Sequence, residues 1–130
     1  MLILSLKTAS LEAEIGLYID SQLLAEYKWP AHRQLAESLQ IKIKDLMNSK
    51  DKTLEDIGGI VCFKGPGSFT GLRIGLSAAN ALAYALEVPI VGSEGENWQI
   101  VGLDKLADGQ DEKQVLPHYG SEPHVTKPRR

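Results

Sequence analysis

The apolar positions of this chain fall into runs whose spacing changes from segment to segment. Residues 2–6 read Leu-Ile-Leu-Ser-Leu, almost wholly apolar, the pattern of a strand covered on both faces. Residues 14–19 alternate, and so do residues 23–29, with Asp20-Ser21 between them as a turn. Such short connections predict an antiparallel meander, and Pro30 is expected to stop its third strand. Leu35, Leu39, Ile43 and Leu46 then recur at spacings of four, four and three, one face of a helix over about residues 31–47. Asn48-Ser49-Lys50-Asp51 ends that helix, and Thr53 with Asp56 has the spacing of a capping pair for a short turn. Residues 57–63 form a second apolar run and read as a central strand. Residues 64–70 form a loop, 71–86 a helix and 88–91 a last strand, with Gly92 closing the body.

The predicted order is β-β-β-α-β-α-β, an α/β fold in which two crossover helices feed parallel strands. Right-handed crossovers place those helices over the sheet. The layout resembles one ribonuclease-H-like lobe. Charge divides the chain the same way. Residues 1–92, the expected lobe, carry 9 basic and 10 acidic side chains. Residues 93–116 carry 2 basic and 6 acidic, and are expected to form an acidic linker or small irregular element. Residues 117–130 carry 3 basic and 1 acidic, with Pro117, Pro123 and Pro128, and read as an extended tail.

Composition narrows the class. With 43% hydrophobic and 24% charged residues, the 130-residue chain is one ordinary globular domain. A net charge of −3 provides no global basic field for nucleic acid. The longest uncharged apolar stretch, 74–86, has 13 residues against the roughly 20 that cross a bilayer, so no membrane association is expected. The N-terminus shows no signal-peptide pattern. The single cysteine, Cys62, excludes an internal disulfide and fits a reducing, cytoplasmic setting.

Two segments invite a functional reading. In the second helix, Gly71, Gly75, Ala79 and Ala83 are spaced by four and make a ridge without side-chain bulk. Leu72, Ile74, Leu76 and Leu82 make the other faces apolar, so this helix must be covered on more than one side. The ridge serves either close packing on its own sheet and first helix, or a partner helix. The loop Gly65-Pro66-Gly67-Ser68-Phe69-Thr70-Gly71 joins a strand to a helix N-terminus, where exposed N–H groups can meet an anion. It fits neither phosphate motif. Five residues separate Gly65 from Gly71, where a phosphate loop has four, with Leu72-Arg73 following, and Thr70 stands where a dinucleotide fingerprint needs its third glycine. A tight glycine turn capped by Ser68 or Thr70 is the preferred reading.

No catalytic constellation emerges. His32, His118 and His124 have no zinc-motif spacing with Cys62 or with one another. Ser68 is not in a nucleophile elbow, and Cys62, within Ile-Val-Cys-Phe, reads as buried and inert. No catalytic, metal or cofactor residue is assigned.

The run Gly65-Pro66-Gly67-Ser68-Phe69-Thr70-Gly71-Leu72-Arg73-Ile74-Gly75, followed by 76–86 and Val88-Pro89-Ile90-Val91-Gly92, closely resembles the TsaB (YeaZ) family. The likeness extends to Leu2-Ile3-Leu4 and His32-Arg33-Gln34-Leu35, resumes at residues 117–123, and is absent over 93–116. The resemblance implies an actin-like fold of two ribonuclease-H-like lobes and a role in threonylcarbamoyladenosine synthesis on bacterial tRNA. It implies a non-catalytic subunit that binds a TsaD-like catalytic subunit through helices of the first lobe, joins a TsaE-like ATPase in the same assembly, and can form a homodimer when alone. The TsaD-like partner would transfer threonylcarbamoyl to an adenosine beside the anticodon, and tRNA would be reached only through the complex. The expected partner interface comprises Leu35, Leu39, Ile43, Gly71, Gly75, Ala79 and Ala83.

Two departures accompany the likeness. Lys7-Thr8-Ala9-Ser10 stands where relatives carry Asp-Thr-Ser, which reverses the charge at a metal- and phosphate-placing position. The 24 residues of 93–116 are too few for a second lobe, so a shortened form without an interlobe cleft is expected. Two alternatives to the scaffold are a nucleotide- or anion-binding enzyme using the 65–71 loop, and a self-associating homodimer that has lost its partner.

Overall fold

The computed structural model describes residues 1–30, 34–67 and 69–118. β1 (Leu2–Lys7) is the middle strand of a five-stranded sheet ordered β3-β2-β1-β4-β5. β2 (Glu12–Ile19) pairs antiparallel with β1 and with β3 (Gln22–Pro30). β4 (Ile57–Gly65) lies parallel to β1 on its other side, and β5 (Ile90–Glu94) parallel to β4. The predicted element order holds, and with it the α/β ribonuclease-H-like lobe. β3 ends at Pro30, which still pairs with Glu12. β3 is an edge strand, where a sheet tolerates proline.

The crossover helices are α1 (Leu35–Ser49) and α2 (Phe69–Leu86). Both cover the same sheet face, as two right-handed crossovers in one direction require. α1 buries Leu35, Leu39, Ile43, Leu46 and Met47, the stripe read from spacing with one residue added. Between α1 and β4, the Thr53 N–H donates to the Asp56 carboxylate at 2.8 Å, and the Asp56 N–H returns to the Thr53 carbonyl at 2.9 Å. α2 ends in a Schellman-type cap: Glu87 takes φ 58°, its N–H donates to Tyr84, and the Val88 N–H reaches back to Ala83 at 3.1 Å. That cap moves the last strand two residues later than its apolar run predicts.

Residues 93–116 are not the linker or irregular element expected of them. They contain α3 (Trp98–Ala107), which packs on β4 and β5 across the sheet from α1 and α2. Trp98, Gly102, Leu103 and Leu106 turn inward while Asp104 stays exposed. The Phe63 and Trp98 rings meet edge to face with centroids 5.9 Å apart. The acidic residues that set the charge of this segment lie outside the packed stripe. Residues 119–130, the rest of the expected extended tail, lie outside the described residues.

The core fills both sides of β1 and β4, with Leu4, Ile60, Val61 and Cys62 fully buried. Burial, with the nearby Glu112 carboxylate adding to it, pushes the Cys62 thiol up to about 12. It is an inert core residue, as its apolar neighbours in sequence predict.

Candidate functional site

The glycine turn is wedged between two other parts of the chain. Gly65 takes φ +130°, and a Cβ there would lie 1.8 Å from the His118 carbonyl oxygen, so only glycine serves. The His118 N–H donates to the Lys64 carbonyl at 2.7 Å, fixing that contact. On the opposite side, Gly67 lies against the backbone and Cβ of Ala9, in the β1–β2 connection. Thr8, from the same connection, donates its hydroxyl to the Gly71 carbonyl at 2.6 Å. Pro66, Gly67 and Thr70 are exposed, Leu72 is buried and Arg73 is exposed. Phe69 opens α2, two residues before the predicted start, and Ser68 lies outside the described residues.

The expected partner-interface residues fall mostly inside the protein. Leu35, Leu39, Ile43, Gly75, Ala79 and Ala83 are buried against the chain's own sheet and neighbouring helix, and Gly71 is half-buried. The small ridge therefore seats α2 on the sheet. The outward surface of the same two helices is carried by other residues. An open groove of about 600 Å³ runs between them, with Ile41 and Lys44 on α1 facing Ala78, Ala81, Leu82 and Ala85 on α2. It continues past Gln40 and Ala78 to Ile74, Ser77, Arg73 and Thr70 at the glycine turn. Ile41 is 59% exposed and Tyr84, at the outer edge of α2, 87%. Glu37 and Lys44 put one charge of each sign on the α1 side. The sequence signal for this groove is the apolar or small series Ile74, Ala78, Ala81, Leu82 and Ala85, which the more regular glycine–alanine ridge obscures.

Where relatives were expected to place an aspartate, Lys7 points its ammonium at the Phe63 ring, 4.6 Å from the centroid. A cation over an aromatic face is held by the ring quadrupole. Among the described residues, no three His, Cys, Asp or Glu side chains converge to hold a metal, and no helix is long and apolar enough to cross a membrane. His118 brings its Nδ1 to 2.6 Å from Glu94 Oε2. His32 and His124 lie outside the described residues.

Comparison with known proteins places this geometry. The family model described as "TsaD: tRNA N6-adenosine threonylcarbamoyltransferase" matches residues 29–94, half of the chain. The chain is 34% identical over 90 residues to the tRNA threonylcarbamoyladenosine biosynthesis protein TsaB of Bacillus subtilis, covering 69% of this chain and 39% of the relative. It is 32% identical over 92 residues to TsaB of Escherichia coli, covering 71% and 39%. The solved structure of YeaZ from Pseudomonas aeruginosa superposes with a TM-score of 0.66 at 27% identity, over 72% of this chain and 43% of that one. The chain thus spans about two fifths of the length of the relatives it matches. The shared stretch contains the glycine turn, both outward-grooved helices and the strands between them, and on these grounds the chain belongs to the TsaD family of that model, on its TsaB (YeaZ) side.

Proposed function

We propose that this chain is a non-catalytic scaffold that binds a TsaD-like catalytic subunit through the outer groove of α1 and α2. In that role it supports threonylcarbamoyladenosine modification of tRNA beside the anticodon. The observation that carries the reading is the open, mostly apolar groove between the two helices, lined by small residues along α2. Alanines at 78, 81 and 85 let a partner helix approach closely, and Ile41 with Leu82 supplies apolar area to bury. Leu35, Leu39, Ile43, Gly75, Ala79 and Ala83 serve that interface from behind, by fixing the spacing of the two helices.

On this reading the chain contributes no catalytic group, metal or cofactor, and acts in the cytoplasm. tRNA is met only through the assembly, which a TsaE-like ATPase also joins. Without the catalytic subunit, two copies of the chain pair through the same groove as a homodimer. Copurification with a tagged TsaD-like protein tests the proposal. The chain should be retained, and Ala81→Glu, which puts a charge at an exposed position of the groove, should abolish retention while leaving the thermal midpoint unchanged. Undiminished retention of a folded Ala81→Glu chain would place the interface elsewhere.

A further inference from the structure

After α3, residues 110–118 cross the outer edge of β5. The outward backbone groups of that edge strand are satisfied one by one. The Ile90 N–H donates to the Asp111 carboxylate at 3.2 Å, and the Ile90 carbonyl accepts from the Glu112 N–H at 2.8 Å. The Gly92 N–H donates to Glu112 Oε2 at 3.1 Å, and the Gly92 carbonyl accepts from Lys105 Nζ at 2.7 Å. Farther along, Asn80 of α2 pairs with the Val115 backbone as another strand would. The Val115 N–H donates to Asn80 Oδ1 and Asn80 Nδ2 donates to the Val115 carbonyl, both at 2.9 Å. The segment finishes at His118, bonded to Lys64 and seated against Gly65.

These anchors are mostly polar. Of residues 110–118 only Val115 is buried, at 1% exposure; Pro117 is half-buried and the rest are exposed. A segment with one buried apolar anchor, its other side chains largely exposed and its hydrogen bonds only partly buried, opens at lower free energy than the core beneath it. We propose that residues 110–118 form a strap that docks and releases as a unit. Docked, it closes the β5 edge and braces the glycine turn against α2; released, it uncovers both. Asn80 is the latch, because its side-chain amide ties the middle of the strap to a core helix through two bonds.

Amide hydrogen exchange on the full chain tests this. The strap amides of Glu112, Val115 and His118 should exchange together with the edge amides of Ile90 and Gly92, at least tenfold faster than Leu4 in β1. Asn80→Ala should accelerate all five together by at least a further tenfold and leave Leu4 unchanged. Acceleration confined to Val115 would show that the strap is not a unit. Leu4 rising in step with the five would show that the strap opens only with the whole fold. If Asn80→Ala does not fold, Glu112→Ala, which removes the carboxylate from Gly92 and Lys105, must move the same five amides together. Failure to do so would equally overturn the proposal.

Discussion

The Thr8 hydroxyl donates to the Gly71 carbonyl at 2.6 Å, and Gly75, one turn along the same helix, leaves the space that Thr8 occupies. A Cβ on Gly75 would stand 2.1 Å from Thr8 Oγ1. The two contacts lock the start of α2 onto the end of β1. Gly75→Leu and Ala79→Leu should therefore destabilise the isolated fold by about 1–3 kcal/mol or more, as overpacking does. Ser77→Leu, on the exposed side of α2, should stay within about 0.5 kcal/mol of the parent. Urea unfolding midpoints measure all three, and a parental midpoint for Gly75→Leu would contradict the packing role of the ridge.

The groove makes the opposite prediction. Ile41→Glu and Ala81→Glu sit on exposed positions, so melting should be unaffected. Affinity for a TsaD-like subunit should fall at least tenfold, because a charge would have to be desolvated in an apolar contact. Light scattering of the parent chain should show a dimer that converts to a heterodimer when the partner is added. A ternary species that keeps the homodimer would reject a shared surface.

Lys7 bears on nucleotide chemistry. Its ammonium lies over Phe63, a positive charge where the family resemblance implies a carboxylate that helps place metal and phosphate. Calorimetry should detect no magnesium-dependent ATP binding at micromolar concentration, and Lys7→Asp should not by itself create it. Tight magnesium-dependent binding by the parent chain would overturn this expectation.

The strap should respond to acid. Partial burial pushes the Asp111 carboxyl up, but the N–H groups of Ile90 and Lys113 and the Lys113 ammonium together hold it below the usual carboxylate range. The Lys105–Glu112 pair lies beside it. Because the folded value is the lower one, ionised Asp111 stabilises the docked strap above about pH 3.9, the ordinary aspartate value. That contribution is lost as pH falls through the depressed folded value. Protection of Ile90 and Lys113, corrected for intrinsic rate, should hold at pH 5 and fall below pH 3.9. Asp111→Asn should remove the pH dependence at Ile90. Unchanged dependence in that variant would assign it to another carboxylate.

Much of this fold is legible in the chain because its strands are either almost wholly apolar, like residues 2–6, or alternating in sequence, like 14–19. α3 was hidden because a glycine occupies one inward position, Gly102, and because six acidic residues dominate the segment. The direction in which α2 faces could not be read. A helix apolar nearly all round gives no amphipathic signal, so only tertiary packing shows that Ala79 and Ala83 lie inside while Ala81 and Ala85 lie outside. The strap was equally invisible, since Asn80 and Val115 are 35 residues apart and their bond is carried by a side-chain amide with no local pattern.

The burial of Cys62 turns the molecule into its own clock. With the thiol fully enclosed and pushed up to about 12, an alkylating reagent meets no thiolate while the sheet is closed. The one sulfhydryl in the chain thus reacts at the pace at which β4 is exposed, so a single mass increment, followed over time, counts openings of the central sheet without any introduced probe.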